Sequence, residues 1–209
     1  MLTKIRGVRG GGSGQEVDIQ ADRDGGMHIN QMLPPYAILS ALGNGYSAQA
    51  EVAIAGLVIR PSGTAAFTLW NGEADGGLSY VIDRVAVHQL VSTAVEARFG
   101  LWLCIHPTGM AAVATDISVI DSYRGISTYG GNARLDNGAT VNDDGWHPWG
   151  DSVSIETAST VAGAQIDMHP EGRIVIPPSA GISAHVVASL VGDTFTIGFS
   201  WFEVQLDLG

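Results

Sequence analysis

Six histidines, one cysteine and 21 carboxylates are the residues of this chain with the most versatile chemistry. Their spacing assembles little of it locally. His28, His88, His106, His147, His169 and His185 are scattered. None stands two or four residues from another, the spacings by which a strand or a helix turns two imidazoles toward one metal ion. No cysteine or carboxylate cluster at ligand spacing accompanies them, so the sequence predicts no zinc site. Asp136-Asn-Gly138 and Asn142-Asp-Asp-Gly145 have the oxygen density of a calcium loop. They lack the EF-hand order of ligands and its closing glutamate, and read first as Asx turns. Cys104 sits in the apolar run from Phe99 to Ile105, where a buried structural thiol is expected rather than a nucleophile.

Other catalytic signatures fare no better. There is no G-x-S-x-G elbow, P-loop or dinucleotide fingerprint. The Gly10–Gly14 stretch has the composition of a phosphate loop but no strand before it and no lysine or helix after it, so a linker is the better reading. Acids from distant strands can meet to cleave a glycoside, but nothing local favours such a pair. The expectation is a protein without catalytic residues, metal or cofactor. The best binding candidate is aromatic: Trp146-His147-Pro148-Trp149, with Tyr129 nearby, in the long break 121–151. Exposed tryptophans stack on sugar rings, and aromatic anchors also dominate protein interfaces. Tyr129, Trp146, His147 and Trp149 are therefore candidate ligand or subunit contacts, or a plug for one end of the fold.

The elements that would position these residues are strands. The chain has 209 residues, 45% hydrophobic and only 15% charged, with 28 glycines and Lys4 as its one lysine. That balance excludes general disorder and suits many short strands and tight turns. Likewise, no stretch approaches the roughly 18–20 apolar residues of a membrane helix, and the N-terminus lacks the apolar core of a signal peptide. A protein made in a cytoplasm and free of membrane is the expectation. Apolar and alternating runs place strands at 50–59, 65–70, 78–90, 97–105, 112–120, 152–158, 164–168, 173–176, 182–191 and 195–206. A further edge strand is expected within 133–141. Pro34-Pro35 before, and Gly43 after, Tyr36–Leu42 mark the start and stop of one short helix. The fold class is all-β, an antiparallel jelly-roll-like β-sandwich over 26–209 with an N-terminal arm over 1–25.

Two features of the pattern bear on contacts. In the last strand Phe195, Ile197, Phe199 and Trp201 alternate with small polar residues, after which Phe202, Val204, Leu206 and Leu208 become the apolar set. Such a parity switch requires a β-bulge or a change in the buried face, and suits a strand that serves both a core and a neighbouring layer or subunit. In the arm, five glycines between residues 7 and 14 argue against any stable isolated strand. Net charge is −11, yet Lys4, Arg6 and Arg9 lie in the first ten residues, which hold no acid. An acidic body is unsuited to wrapping nucleic acid, while the small basic tail of these ten residues suits an acidic partner, with Val17 and Ile19 available to dock.

The phrases Leu33-Pro-Pro-Tyr36, Ala66-Phe-Thr-Leu-Trp-Asn71, Leu78-Ser-Tyr-Val-Ile-Asp83, Asp143-Asp-Gly-Trp-His-Pro-Trp-Gly150, Gly172-Arg-Ile-Val-Ile-Pro-Pro178 and Phe199-Ser-Trp-Phe-Glu-Val-Gln205, in this order behind a short arm, resemble β-sandwich virion proteins of tailed bacteriophages. The resemblance is closest to the cement or decoration proteins of the capsid, and spans most of 27–208. It implies a jelly-roll body assembling as a homotrimer, with the major capsid protein as partner and the capsid surface of the virion as location. Lys4, Arg6, Arg9, Val17 and Ile19 are then the expected arm contacts, an assignment made from charge and hydropathy and from no family motif. The alternative expectation is a receptor- or glycan-binding head of a phage fibre or spike, resting on Trp146 and Trp149.

Overall fold

The computed structural model describes residues 5–8, 16–19, 35–92, 96–125, 129–141, 145–156, 164–189 and 192–206. Two compact units divide the chain, residues 1–38 and 39–209. In the first, β1 (Ile5–Val8) pairs antiparallel with β2 (Glu16–Ile19), setting Ile5 opposite Ile19 and Arg6 opposite Asp18. The arm, in which no stable isolated strand was expected, thus contains two strands that pair with each other. The glycine cluster falls largely between the two strands, and only Gly7 lies inside one.

Helix α1 (Pro35–Leu42) begins one residue before the expected Tyr36 and ends where expected. It ends in a Schellman closure: Gly43 N–H donates to Ser40 C=O and Asn44 N–H to Leu39 C=O, both at 3.0 Å, with Gly43 at φ +84°. Glycine occupies that left-handed position without a Cβ clash.

The second unit is an antiparallel β-sandwich. Its strands are β3 (Gly45–Gln49), β4 (Ile54–Ala55), β5 (Phe67–Asn71), β6 (Ser79–Val91), β7 (Glu96–His106), β8 (Asp121–Ser122), β9 (Ala133–Asp136), β10 (His147–Glu156), β11 (Gln165–Met168), β12 (Val175–Ile176), β13 (Gly181–Ala188) and β14 (Thr194–Val204). One sheet has the order β10-β7-β13-β5-β9 and the other β11-β6-β14-β3-β8, where β12 also pairs with β6 and β4 with β14. Alternation sends Phe67, Leu69, Phe99, Leu101, Leu103, Ile182, Ala184 and Val186 from the first sheet into a shared core with Val85, Val87, Phe195, Ile197, Phe199 and Trp201 of the second. Phe67 stacks on Phe199 at 5.3 Å between centroids, and Phe99 meets Phe195 at 4.8 Å.

A second apolar cluster lies on the other face of the five-stranded sheet. Cys104, one position out of phase with Leu103, joins Ala65, Val113, Ala139, Val141 and Trp146 there, with Trp70, Trp102 and Met110 packed against them.

Three expectations change. The run 112–120 is no strand, because its bonds to β9 do not form a ladder: Asp116 and Ile117 N–H both donate to the one Leu135 C=O, at 2.9 and 3.1 Å, while Ala114 N–H donates to Asp136 Oδ2 at 3.0 Å and Asn137 N–H to Asp116 Oδ2 at 3.2 Å. Of the run 50–59 only Ile54–Ala55 forms a strand, β4, while β3 ends before the run begins, and the two pair with successive lengths of β14. The supposed loop 121–151 contains β8, β9 and the start of β10, and β9 is the expected edge strand beside β5.

The parity switch also resolves. A register shift opposes Ser200-Trp201 to Arg84 and Ile82, leaving Asp83 as the extra residue on β6. The change of face therefore belongs to β6, where Tyr80 and Ile82 give way to Val85 and Val87. Strand β14 keeps its odd residues inward through Glu203, and Phe202 on the outer face is covered by Tyr123 of the same chain, 6.1 Å between ring centroids. The neighbouring layer that Phe202 faces is thus part of this chain.

The stacked pair at the sandwich centre should carry much of the stability. Phe199→Ala should lower the unfolding free energy by about 3–5 kcal/mol in chemical denaturation, since it removes the ring and leaves a cavity. A loss below about 1 kcal/mol would mean that the two sheets do not pack as described.

Candidate functional site

Trp146, immediately before β10, is only 3% exposed. Its Nε1–H donates to Ser62 C=O at 2.7 Å, its own carbonyl accepts from the Arg60 guanidinium, and its ring meets His185 edge-on at 6.4 Å. Trp149, three residues on, points to the opposite face and packs on the inter-sheet core. The two indoles therefore form no common platform. His147 is exposed, its Nδ1 2.9 Å from Gly145 C=O and its ring 5.7 Å from that of Trp149. Of the four predicted contacts His147 is exposed, Tyr129 and Trp149 are half-buried, and Trp146 closes the cover of the second cluster. Sequence spacing could not separate the two indoles, because the start of β10 was not recognised as a strand.

Tyr129 has a different role. Its hydroxyl donates to Glu203 Oε1 at 2.5 Å and accepts the Ala133 N–H at 3.0 Å. Glu203 occupies the inward row of β14 two positions after Trp201, is 4% exposed, and also accepts from Trp201 Nε1 at 3.3 Å. Tyr46 packs edge-on against Tyr129 at 4.9 Å and lies 6.0 Å from Trp201, which has Tyr80 6.1 Å away on its other side. This aromatic box binds a carboxyl group inside one end of the sandwich. Burial pushes the Glu203 pKa up, outweighing the opposing bonds from Tyr129 and Trp201, with Glu73 adding to the rise. Burial likewise raises the Tyr80 and Tyr129 phenols.

A second polar chain runs across the outer face of the five-stranded sheet. Thr68 Oγ1 lies 2.8 Å from Ser183 Oγ, Ser183 Oγ 2.7 Å from His106 Nε2, and His106 Nδ1 3.8 Å from Cys104 Sγ. A serine beside a histidine is the nucleophile–base pairing of acyl transfer. Here all four side chains are buried, and the Met110 segment lies over them through Met110 N–H to Ser179 C=O. A carbonyl substrate has no approach, and the contact serves to satisfy buried polar groups. His185 is a sheet histidine as expected: its Nδ1 accepts the Val186 N–H at 2.9 Å and burial lowers its pKa. Cys104 is a buried thiol.

The Asp136-Asn-Gly138 turn is committed to local bonds with the 114–117 segment, and Asn142-Asp-Asp lies outside the described residues. Among the described residues no group of three or more His, Cys, Asp or Glu side chains converges on a metal position, and no helix is long and apolar enough to cross a membrane. Lys4 and Arg9 lie outside the described residues; Arg6, Val17 and Ile19 are placed on β1 and β2. No family model, curated protein or solved structure matches this chain.

Because Glu203 holds its proton more tightly folded than unfolded, its contribution to stability is greatest at acid pH and falls as pH rises from the ordinary carboxylate range through the folded value. Glu203→Gln should therefore gain stability relative to the parent as pH is raised from 4.5 to 8 in urea titrations; a pH-independent difference would remove the titrating role. Tyr129→Phe, which takes a donor from this acid, should cost about 1.5–3 kcal/mol.

Proposed function

We propose that this chain is a structural virion protein, a cement or decoration protein that binds the outside of a bacteriophage icosahedral head and stabilises it. The observation that carries the reading is the strand arrangement. Strand β14 lies between β3 and β6 with β11 beyond, and β13 lies between β5 and β7 with β10 beyond. The last two strands thus insert between earlier ones, each in its own sheet, and β5, β6 and β7 alternate between sheets. This nested order supports a jelly roll, whose body is a closed, well-packed block.

Charge and surface support the same reading. The body is acidic, and the three basic residues of the first ten belong to the separate N-terminal unit. In this proposal Lys4, Arg6 and Arg9, with Val17 and Ile19, contact the major capsid protein. Val52, Val58, Ile59, Leu90 and Val91 are exposed, Ile59 by 70%. They border the region where β4 and Val91 both meet the start of β14, and supply apolar surface for a homotrimer. A protein of this kind works by fit, with no catalysis and no cofactor.

Removing residues 1–25 should abolish binding to heads that lack the protein while leaving the 39–209 sandwich folded by circular dichroism. Full occupancy of heads by the truncated chain would refute the arm assignment.

A further inference from the structure

Strand register builds a polar groove on the outer face of the sheet that contains β14. Because β14 turns its odd residues inward, Gly198 and Ser200 face out, as do Arg84 and Ala86 of β6 beside the buried Val85 and Val87. One cross-strand row runs Asp121, Ser47, Ser200, Arg84, through β8, β3, β14 and β6. The next runs Gln49, Gly198, Ala86, Asp167, through β3, β14, β6 and β11. Small residues hold the middle of both rows, and longer polar ones the ends. The result is a groove of about 310 Å³ whose walls include Gln49, Arg84, Asp121 and Tyr123. Three strand spacings separate Asp121 from Arg84, about 14 Å between backbones, which suits an extended ligand rather than a single ion.

Both walls are held in place by the fold. A Cβ at Gly45 would lie 2.7 Å from Tyr123 Cδ2, so the glycine lets that ring settle against β3. The ring also meets Phe202 edge-on at 6.1 Å, and its hydroxyl is hydrogen-bonded to Ser200 on the groove floor. The rest of Tyr123 is open, with the residue 44% exposed. At the other wall Arg84 Nε–H donates to Asp167 Oδ1 at 2.5 Å. Arg84 holds that carboxyl below the ordinary carboxylate range, so both partners are ionised and their charges offset. The pair sets guanidinium donors beside a carboxylate acceptor, and the exposed Gln49 amide offers one of each. Asp121, exposed at the far end, leaves the groove with a net negative charge. A sugar hydroxyl both donates and accepts, which matches donors and acceptors set side by side, and the C–H face of a pyranose packs on an aromatic ring. An anionic sugar would be repelled by Asp121.

We infer that this groove binds a neutral oligosaccharide, with one ring on Tyr123 and hydroxyls on Gln49, Asp121, Arg84 and Asp167. The site shares no residue with the tryptophans that sequence alone singles out. It is also independent of capsid attachment, because every residue that forms it belongs to the sandwich unit.

The test uses the full chain, isotopically labelled in its tyrosine rings and titrated by NMR with neutral tetrasaccharides of glucose, galactose and mannose in turn. At least one should shift the Tyr123 ring signals with saturable binding at millimolar probe. Gln49→Ala and Asp121→Asn, both changes of exposed side chains, should each weaken that binding about fivefold. Ala86→Leu, which fills the floor beside Gly198, should abolish it in a chain whose Tyr80 and Tyr129 signals are unchanged. A uronic-acid tetrasaccharide should bind about tenfold or more weakly than the neutral probe, and Asp121→Asn should narrow that gap. No saturable shift with any of the three neutral probes, equal or tighter binding of the acidic one, or undiminished binding by Ala86→Leu or by Gln49→Ala would each overturn the inference.

Discussion

The packing of β14 across the sandwich is the constraint on which the rest of the structure depends. Its inward residues Phe195, Ile197, Phe199 and Trp201 are fully buried; Phe199 stacks on Phe67 of the opposite sheet and Phe195 meets Phe99 at a tilt. Hydrophobic burial of rings this size is the largest favourable term available to a chain with so few charges. Once β14 is seated, β6 and β3 can pair only with its two edges. Strand β13, which precedes it, is similarly confined between β5 and β7 in the other sheet. The strand order follows from seating those two adjacent segments centrally.

The inward row ends in an acid. Glu203 takes the place that alternation would give to another apolar side chain, and Tyr129, Trp201, Tyr46 and Tyr80 surround it. A lone buried carboxyl group is costly unless it is hydrogen-bonded or protonated, and both apply here: two donors reach Oε1 and burial favours the neutral form. The Tyr129 hydroxyl also holds the Ala133 amide at the entry to β9. This polar contact therefore ties the end of β14 to the edge strand of the other sheet, where apolar packing alone would not set a direction.

Much of this was legible in the residues themselves. The period-2 runs of β6, β7, β13 and β14 carry enough buried apolar residues to be read directly, and the Pro35 and Gly43 signals bound α1 closely because backbone geometry restricts both positions. The failures have physical causes. Residues 112–120 look like a strand by hydropathy, but Asp116 and Ile117 N–H share the one Leu135 C=O and the Ala114 N–H goes to Asp136, so no ladder forms. The face change appeared to belong to β14, although the extra residue, Asp83, lies on its partner β6, and one strand's pattern cannot show its neighbour's bulge. Trp146 and Trp149 looked alike because burial of an indole is decided by segments distant in sequence, here Ser62 and Arg60.

In the proposed role, an acidic sandwich preceded by ten residues that carry Lys4, Arg6 and Arg9 and no acid would suit attachment to a repeating lattice, where each copy contributes shape and a few anchoring contacts. The most direct test is the copy number of this chain in purified virions, measured by quantitative mass spectrometry against the major capsid protein. A cement protein is expected in a fixed ratio to the major capsid protein, at a copy number divisible by three and set by the lattice. Absence from particles, or the few copies of a tail fibre, would contradict the account.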